Sequence, residues 1–247
     1  MSSTLHQALC AESGVVCAIG AGGKKTTLFA LLNLATARTA LTASVYTPPF
    51  PETLDARVHI APLDTLREAV PADPADRIAY ALPGDKPRRL GPLSPAEITA
   101  LHRDGGFRVT LVKADGARMR RIKAPGEHEP LVVPGSTVLA ISSVLALGRP
   151  LDERIAHRPE RISANTGHPL GEPVTPTLIA DLYLRAGGLA NNTGGGPLVP
   201  VLNMVDDERL LKGAREVAAA MLESGPWERV VLLSDRRAGQ LVEVILR

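Results

Sequence analysis

Residues Val15–Leu34 read VVCAIGAGGKKTTLFALLNL, and the fold turns on this stretch. A short apolar run, expected as a buried strand over Gly14–Ile19, leads into a turn with Gly20, Ala21, Gly22 and Gly23. Lys24, Lys25, Thr26 and Thr27 follow, and then Leu28, Leu31, Leu32 and Ala35 recur at helical spacing. A helix that starts just after a strand leaves unpaired backbone N–H groups and a partial positive charge at its first turn. Glycines let that backbone wrap an anion, because no Cβ intrudes. A lysine adds a full charge, and a hydroxyl at the helix start can hold Mg²⁺. Lys24 or Lys25 and Thr26 or Thr27 fit those two roles. The usual G-x-x-x-x-G-K-[ST] spacing is not met, since Lys25 follows Lys24 directly; the shorter G-x-x-G-K-T-T form fits with one lysine extra. The plain alternative is a tight strand-to-helix corner with solvated lysines.

Outward from this turn, strands and helices alternate. Strands are expected at Leu41–Tyr46, Arg57–Ala61, Phe107–Ala114, Thr137–Ser142, Leu198–Asn203, Arg229–Ser234 and Leu241–Leu246, the last two as an edge hairpin. Ser94, Pro95 and Glu97 form a capping box for a helix to about His102. Thr175–Pro176 starts a helix that ends near Gly187 and Gly188, and another helix is expected over Asp206–Leu222. This order argues α/β: a P-loop NTPase-like three-layer sandwich with a mainly parallel sheet. A single domain over residues 1–247 is expected, with inserted loops at about 48–92 and 116–136.

Composition narrows the function classes. Of 247 residues, 45% are hydrophobic, enough for a full core, and 28 basic against 26 acidic residues leave a net charge of +2. That near-neutral balance argues against nucleic acid or membrane as the main partner. Aromatics at 3% leave little for a base-stacking platform. Cys10 and Cys17 are too few for a disulfide scaffold. With no spanning apolar run and no signal-peptide pattern, a soluble cytoplasmic protein is expected.

Asp115 follows the Phe107–Ala114 strand, where a nucleotide-binding sheet often carries a carboxylate for Mg²⁺ or its water. An ordinary Asp-Gly turn is the alternative. Beyond it come Arg118, Arg120, Arg121 and Lys123, then Glu127, His128 and Glu129. The cations suit a polyanionic substrate or a solvated loop, and His128 suits metal ligation or proton transfer. His157 and Arg158 either meet phosphate or cap a helix. Asn203 and Asp206 match the N-K-x-D base-reading pattern loosely, with Met204 in place of lysine; Asp206 as a helix cap is the alternative. All these residues follow strands expected to be parallel, so they should gather at the carboxyl edge of one sheet.

Taken together, GAGGKKTT, LGPLSPAEI, ADGARMRRIKAPGEHEP, ALGRPLDERIAHRPE and LNMVDD make the chain resemble the YqeC family of selenium-dependent hydroxylase accessory proteins, also called selenium cofactor biosynthesis proteins. The resemblance implies a cytoplasmic, P-loop-like nucleotide-binding protein that helps mature molybdenum hydroxylases carrying labile selenium. Carried over by position, Gly20, Gly22, Gly23, Lys24, Lys25 and Thr26 form the phosphate loop. Asp115, Lys123, Glu127, His128 and Glu129 lie in one signature segment, and His157 and Arg158 in the next. The family usually has an acidic residue where this chain has Lys113, and a threonine-rich segment ending in histidine where this chain has SVYTPPFPE.

The expected activity is Mg²⁺-dependent NTP hydrolysis, or phosphoryl or nucleotidyl transfer. Gly20–Thr27, Asn203 and Asp206 would hold ATP or GTP, Thr26 and Asp115 the metal, and Asp115, Lys123, His128 and Arg158 would act in catalysis. Arg118 is a further candidate for transition-state charge. The expected partners are the nucleotide and a molybdenum hydroxylase or its cofactor. A maturation chaperone that binds nucleotide as a switch, or not at all, is the alternative.

Overall fold

The computed structural model describes residues 4–247. Strands β1 (Gly14–Gly20), β2 (Thr39–Ala43), β3 (Arg57–Ile60), β4 (Arg77–Ala81), β5 (Val109–Lys113), β7 (Thr137–Ser143), β9 (Leu198–Asn203), β10 (Arg229–Ser234) and β11 (Gln240–Leu246) form one sheet. Its order is β11-β10-β9-β7-β1-β5-β2-β4-β3, and every pairing is parallel except β10 with β11. Two further short strands, β6 (Ile122–Lys123) and β8 (Ala156–His157), pair with each other in parallel outside it.

Helices cover both faces of this sheet. α1 (Leu5–Ala8) and α2 (Lys24–Asn33) pack on one face, where Val16 and Ala18 of β1 meet Leu28, Leu31 and Leu32. α3 (Leu63–Ala72), α4 (Pro95–Asp104), α5 (Pro159–Thr166), α6 (Pro176–Leu184) and α7 (Glu208–Ser224) lie on the other, where Cys17 and Ile19 point. Alternate residues of β1 thus feed the two apolar layers, the period-two consequence of a strand buried on both sides. A mixed α/β three-layer sandwich around a mostly parallel sheet is the observed architecture.

Three differences from the sequence reading have physical causes. The stretch at 48–92, expected to be an inserted loop with one short strand at Arg57–Ala61, carries that strand as β3 and also α3 and β4; β3 and β4 complete one edge of the sheet. Prolines hide the helix: Pro62 precedes α3 and Pro71 lies inside it, yet Leu66 and Val70 still reach the core. The second strand runs from Thr39 to Ala43, earlier than the apolar run suggests, because its partner β5 ends at Lys113, whose carbonyl takes the Ser44 N–H at 3.1 Å as the last bond of the ladder. The last long helix is capped by Asp207, whose side chain accepts from Leu210 N–H at 2.8 Å, and not by Asp206.

The topology puts β1 at a switch point. The chain leaves β1 for β2, β3 and β4 on one side, returns to β5 in the gap beside β1, and then crosses to β7 on the other side. A crevice outside the carboxyl ends of such strands is where open α/β sheets bind ligands. Replacing Asp207 with alanine should cost about 1 kcal/mol in urea unfolding, the usual worth of an N-cap. An unchanged midpoint would show that this cap does not hold α7.

Candidate functional site

Strand register gathers the loops that follow β1, β5, β7 and β9. Ala18 lies beside Lys113, Gly20 beside Ile141, and Ser143 beside Asn203. The turn after β1 is therefore packed against its neighbours. Gly20 (φ +88°) and Gly23 (φ +124°) occupy the left-handed half of backbone space. A Cβ on Gly20 would sit 2.1 Å from Ile141 O, and one on Gly23 would sit 1.8 Å from Asn203 Nδ2. The glycines thus serve close packing as well as any ligand. Ala21 is buried and donates its N–H to Ile141 O at 2.8 Å.

The structure separates the two lysines. Lys24, the first residue of α2, is buried; its Nζ lies 2.8 Å from Asp115 Oδ1 and also donates to Gly20 O. Lys25 is exposed. The first bond of the helix runs from Thr27 N–H to Gly23 O at 3.0 Å, so the N–H groups of Lys24, Lys25 and Thr26 face off the helix end. Thr27 is buried and turns its hydroxyl back onto Gly23 O at 3.2 Å, while Thr26 is half-buried.

Asp115 is the hub of a chain of alternating charge. Its Oδ2 accepts from Gly20 N–H at 2.8 Å and faces Lys123 Nζ at 3.0 Å. Its Oδ1 pairs with Lys24 by charge, without an aligned hydrogen bond. Lys123, fully buried, also donates to Gly116 O and to Glu129 Oε2, each at 2.7 Å. Glu129 Oε2 in turn accepts from Arg158 Nη1 at 2.8 Å and from Gly126 N–H at 3.0 Å. Ions buried to this degree persist only when paired and hydrogen-bonded.

The β6–β8 ladder, Ile122 with Ala156 and Lys123 with His157, brings the two signature segments together. Lys123 and Arg158, far apart in sequence, thereby meet on Glu129, with His157 beside Lys123 in the ladder. Glu129, assigned no catalytic or binding role from sequence, is central to the cluster. His128, a catalytic candidate, lies exposed with Glu127 at the turn before it. Arg118 is exposed too, in a turn where it and Met119 have positive φ.

On the far side, Asn203 Nδ2 donates to Gly22 O at 2.9 Å, so this buried side chain ties β9 to the glycine turn. Asp206 does not join it. Its Oδ1 accepts from Ser234 Oγ at 2.7 Å and from the N–H groups of Asp235 and Arg236, which pins the turn after β10.

Positive charge outweighs negative here. Burial lowers the Lys24 pKa, with Asp115 opposing. Lys113 is pushed down to about 8 by burial, then by the nearby Lys24, Arg89 and Lys123. His157 is held at about 4 by burial and by Arg158, Lys123 and Arg118. Burial works to raise Glu129, but Lys123, Gly126 N–H and Arg158 outweigh it and hold it at about 2. A corner with surplus buried cations and free helix N–H groups favours an anion.

The family model described as YqeC protein matches residues 16–160, more than half of the chain. The chain belongs to the YqeC family. That match spans the glycine turn, Asp115, Lys123, Glu129 and Arg158, and ends before Asn203 and Asp206. No curated protein matches the chain. No described helix is long and apolar enough to cross a membrane.

Lys123→Met should destabilise the fold by about 3 kcal/mol, because Asp115 and Glu129 stay buried without their shared cation; a loss under about 1 kcal/mol in denaturant melts would contradict the pairing. Glu129 has a depressed pKa, so its contribution is complete above the unfolded value near 4.5 and is lost as pH falls through about 2. His157 is also depressed, so stability should already decline between about 6.5 and 4, where the unfolded chain binds the proton first. Thermal melts against pH should show both phases in wild type, and Glu129→Gln should lose the lower one.

Proposed function

We propose that the chain binds a nucleoside triphosphate, ATP or GTP, on the turn Gly20–Thr27 and uses it in the maturation of selenium-dependent molybdenum hydroxylases. Membership of the YqeC family supports the maturation role. The observation that carries nucleotide binding is Lys24: a buried ammonium at the first position of α2, held between Gly20 O and Asp115 beside free helix N–H groups. On phosphate arrival the ammonium exchanges the Gly20 carbonyl for a phosphoryl oxygen, while Asp115 keeps it oriented. Lys123 fixes Asp115, and Arg158, half-buried at the end of the chain of charges, adds the outermost cation. Asn203 sets the shape of the turn through Gly22.

The residues fit Mg²⁺ poorly. That ion wants oxygen ligands in near-octahedral array, commonly one or two carboxylates with phosphates and water. Both oxygens of Asp115 face an ammonium, and Glu129 Oε2 is shared by Lys123 and Arg158. Lys25 stands immediately after the loop lysine, where a P-loop has its hydroxyl, and the Thr27 hydroxyl is turned back to Gly23 O. Among the described residues, no group of three His, Cys, Asp or Glu side chains converges. In this reading the phosphate charge is met by the protein's own cations.

A nucleotide-driven switch is the second reading. The cluster residues are locked in mutual ion pairs, and the candidate proton carrier His128 is exposed at a turn, so ligand binding would rearrange pairs more readily than it would supply a base. Lys24→Ala should weaken ATP and GTP binding about 100-fold in calorimetry, the worth of a charge-assisted contact plus its helix-end partners, with the circular dichroism spectrum kept. Unchanged affinity would remove the nucleotide reading. Phosphate release measured with and without the client hydroxylase separates turnover from switching.

A further inference from the structure

Beyond the glycine turn, a narrow cleft opens between α2 and the ends of β2 and β5, lined by Lys25, Phe29, Thr47, Pro48, Phe50 and Lys113. Both cations border this small, mainly apolar crevice. No carboxylate is among its described lining residues. Lys25 reaches it from the exposed side of the helix start, and Lys113 from the end of the strand next to β1. Lys113 is only weakly satisfied, donating to Tyr46 O at 3.3 Å. The charged groups around it are Lys24 from α2, Asp115 from its own strand end, Arg89 from the loop before α4, and Lys123 from β6. Three of those four are cations, and the one carboxylate is already engaged by Lys24 and Lys123.

In most triphosphate sites a bound metal bridges the β- and γ-oxygens and neutralises their charge. Two ammonium groups, Lys25 on the first turn of α2 and Lys113 at the end of the strand beside β1, carry the same total charge and need no oxygen ligands from the protein. We infer that Lys25 and Lys113 together receive the terminal phosphoryl oxygens of the ligand directly, so that this chain binds its phosphate-bearing ligand without a divalent cation. The inference rests on the nucleotide reading above and narrows it. The ligand class is a polyphosphate, bound as the metal-free anion. A metal-complexed ligand brings two further positive charges into a corner already rich in them, and binds more weakly.

The test is calorimetric titration of the full chain with ATP, GTP and inorganic tripolyphosphate, once with MgCl₂ and once with EDTA. Binding should be at least as tight in EDTA as in Mg²⁺ for one or more of the three. Lys25→Ala and Lys113→Ala should each weaken it about tenfold in EDTA, the size of one charge-assisted hydrogen bond. Lys25 is exposed, so its variant keeps the fold whatever Lys113→Ala does. Binding that requires Mg²⁺, or that neither substitution touches, overturns the metal-free inference and leaves nucleotide binding standing. Wild-type protein that binds none of the three probes in either buffer overturns both.

Discussion

The site depends on one buried contact, the ion pair between Lys24 and Asp115. It joins the first residue of α2 to the end of β5, two elements the sequence separates by most of a hundred residues. Neither charge could remain in this dry corner alone. Asp115 also faces Lys123 and accepts the Gly20 N–H, so the same carboxylate fixes the glycine turn. Lys123 in turn requires Glu129, and Glu129 requires Arg158. Each pairing positions the next, and the chain of charge ends near the protein surface.

That dependence explains why small features of the fold matter. The β6–β8 ladder is two residues long on each side, too short to stabilise much by itself. Its consequence is register: it sets Lys123 and the residue before Arg158 side by side. The glycine turn is likewise held from both flanks, by Asp115 through Gly20 and by Asn203 through Gly22. An anion entering this corner meets groups already oriented, so little ordering is needed on binding.

Much of the fold was legible in the sequence. The apolar run before Gly20, the helical spacing after it and the capping box at Ser94 each carry their own local signal, and each appears as read. What stayed hidden was set by tertiary contact. The strand at Arg57 was readable, but α3 and β4 were not: prolines mask α3, and their cost is offset by burial of Leu66 and Val70. At the site, position was readable and partnership was not. The pattern named Asp115, Lys123 and Arg158, but which of His128 and Glu129 turns inward depends on Lys123 lying beneath the turn. Alternating acidic and basic residues around the pair give no clue from one sequence. The same holds for Lys24 and Lys25, which only the helix start distinguishes, and for Asp206 and Asp207, of which one pins the β10 turn and the other caps α7.

The central claim is that Lys24, held by Asp115, is poised to exchange a backbone carbonyl for a phosphoryl oxygen. A crystal structure grown with tripolyphosphate tests this most directly. The account predicts phosphate oxygens on the N–H groups of Lys24 and Lys25, with Lys24 Nζ moved off Gly20 O and still beside Asp115. An anion bound elsewhere, with Lys24 unmoved at saturating ligand, would contradict it.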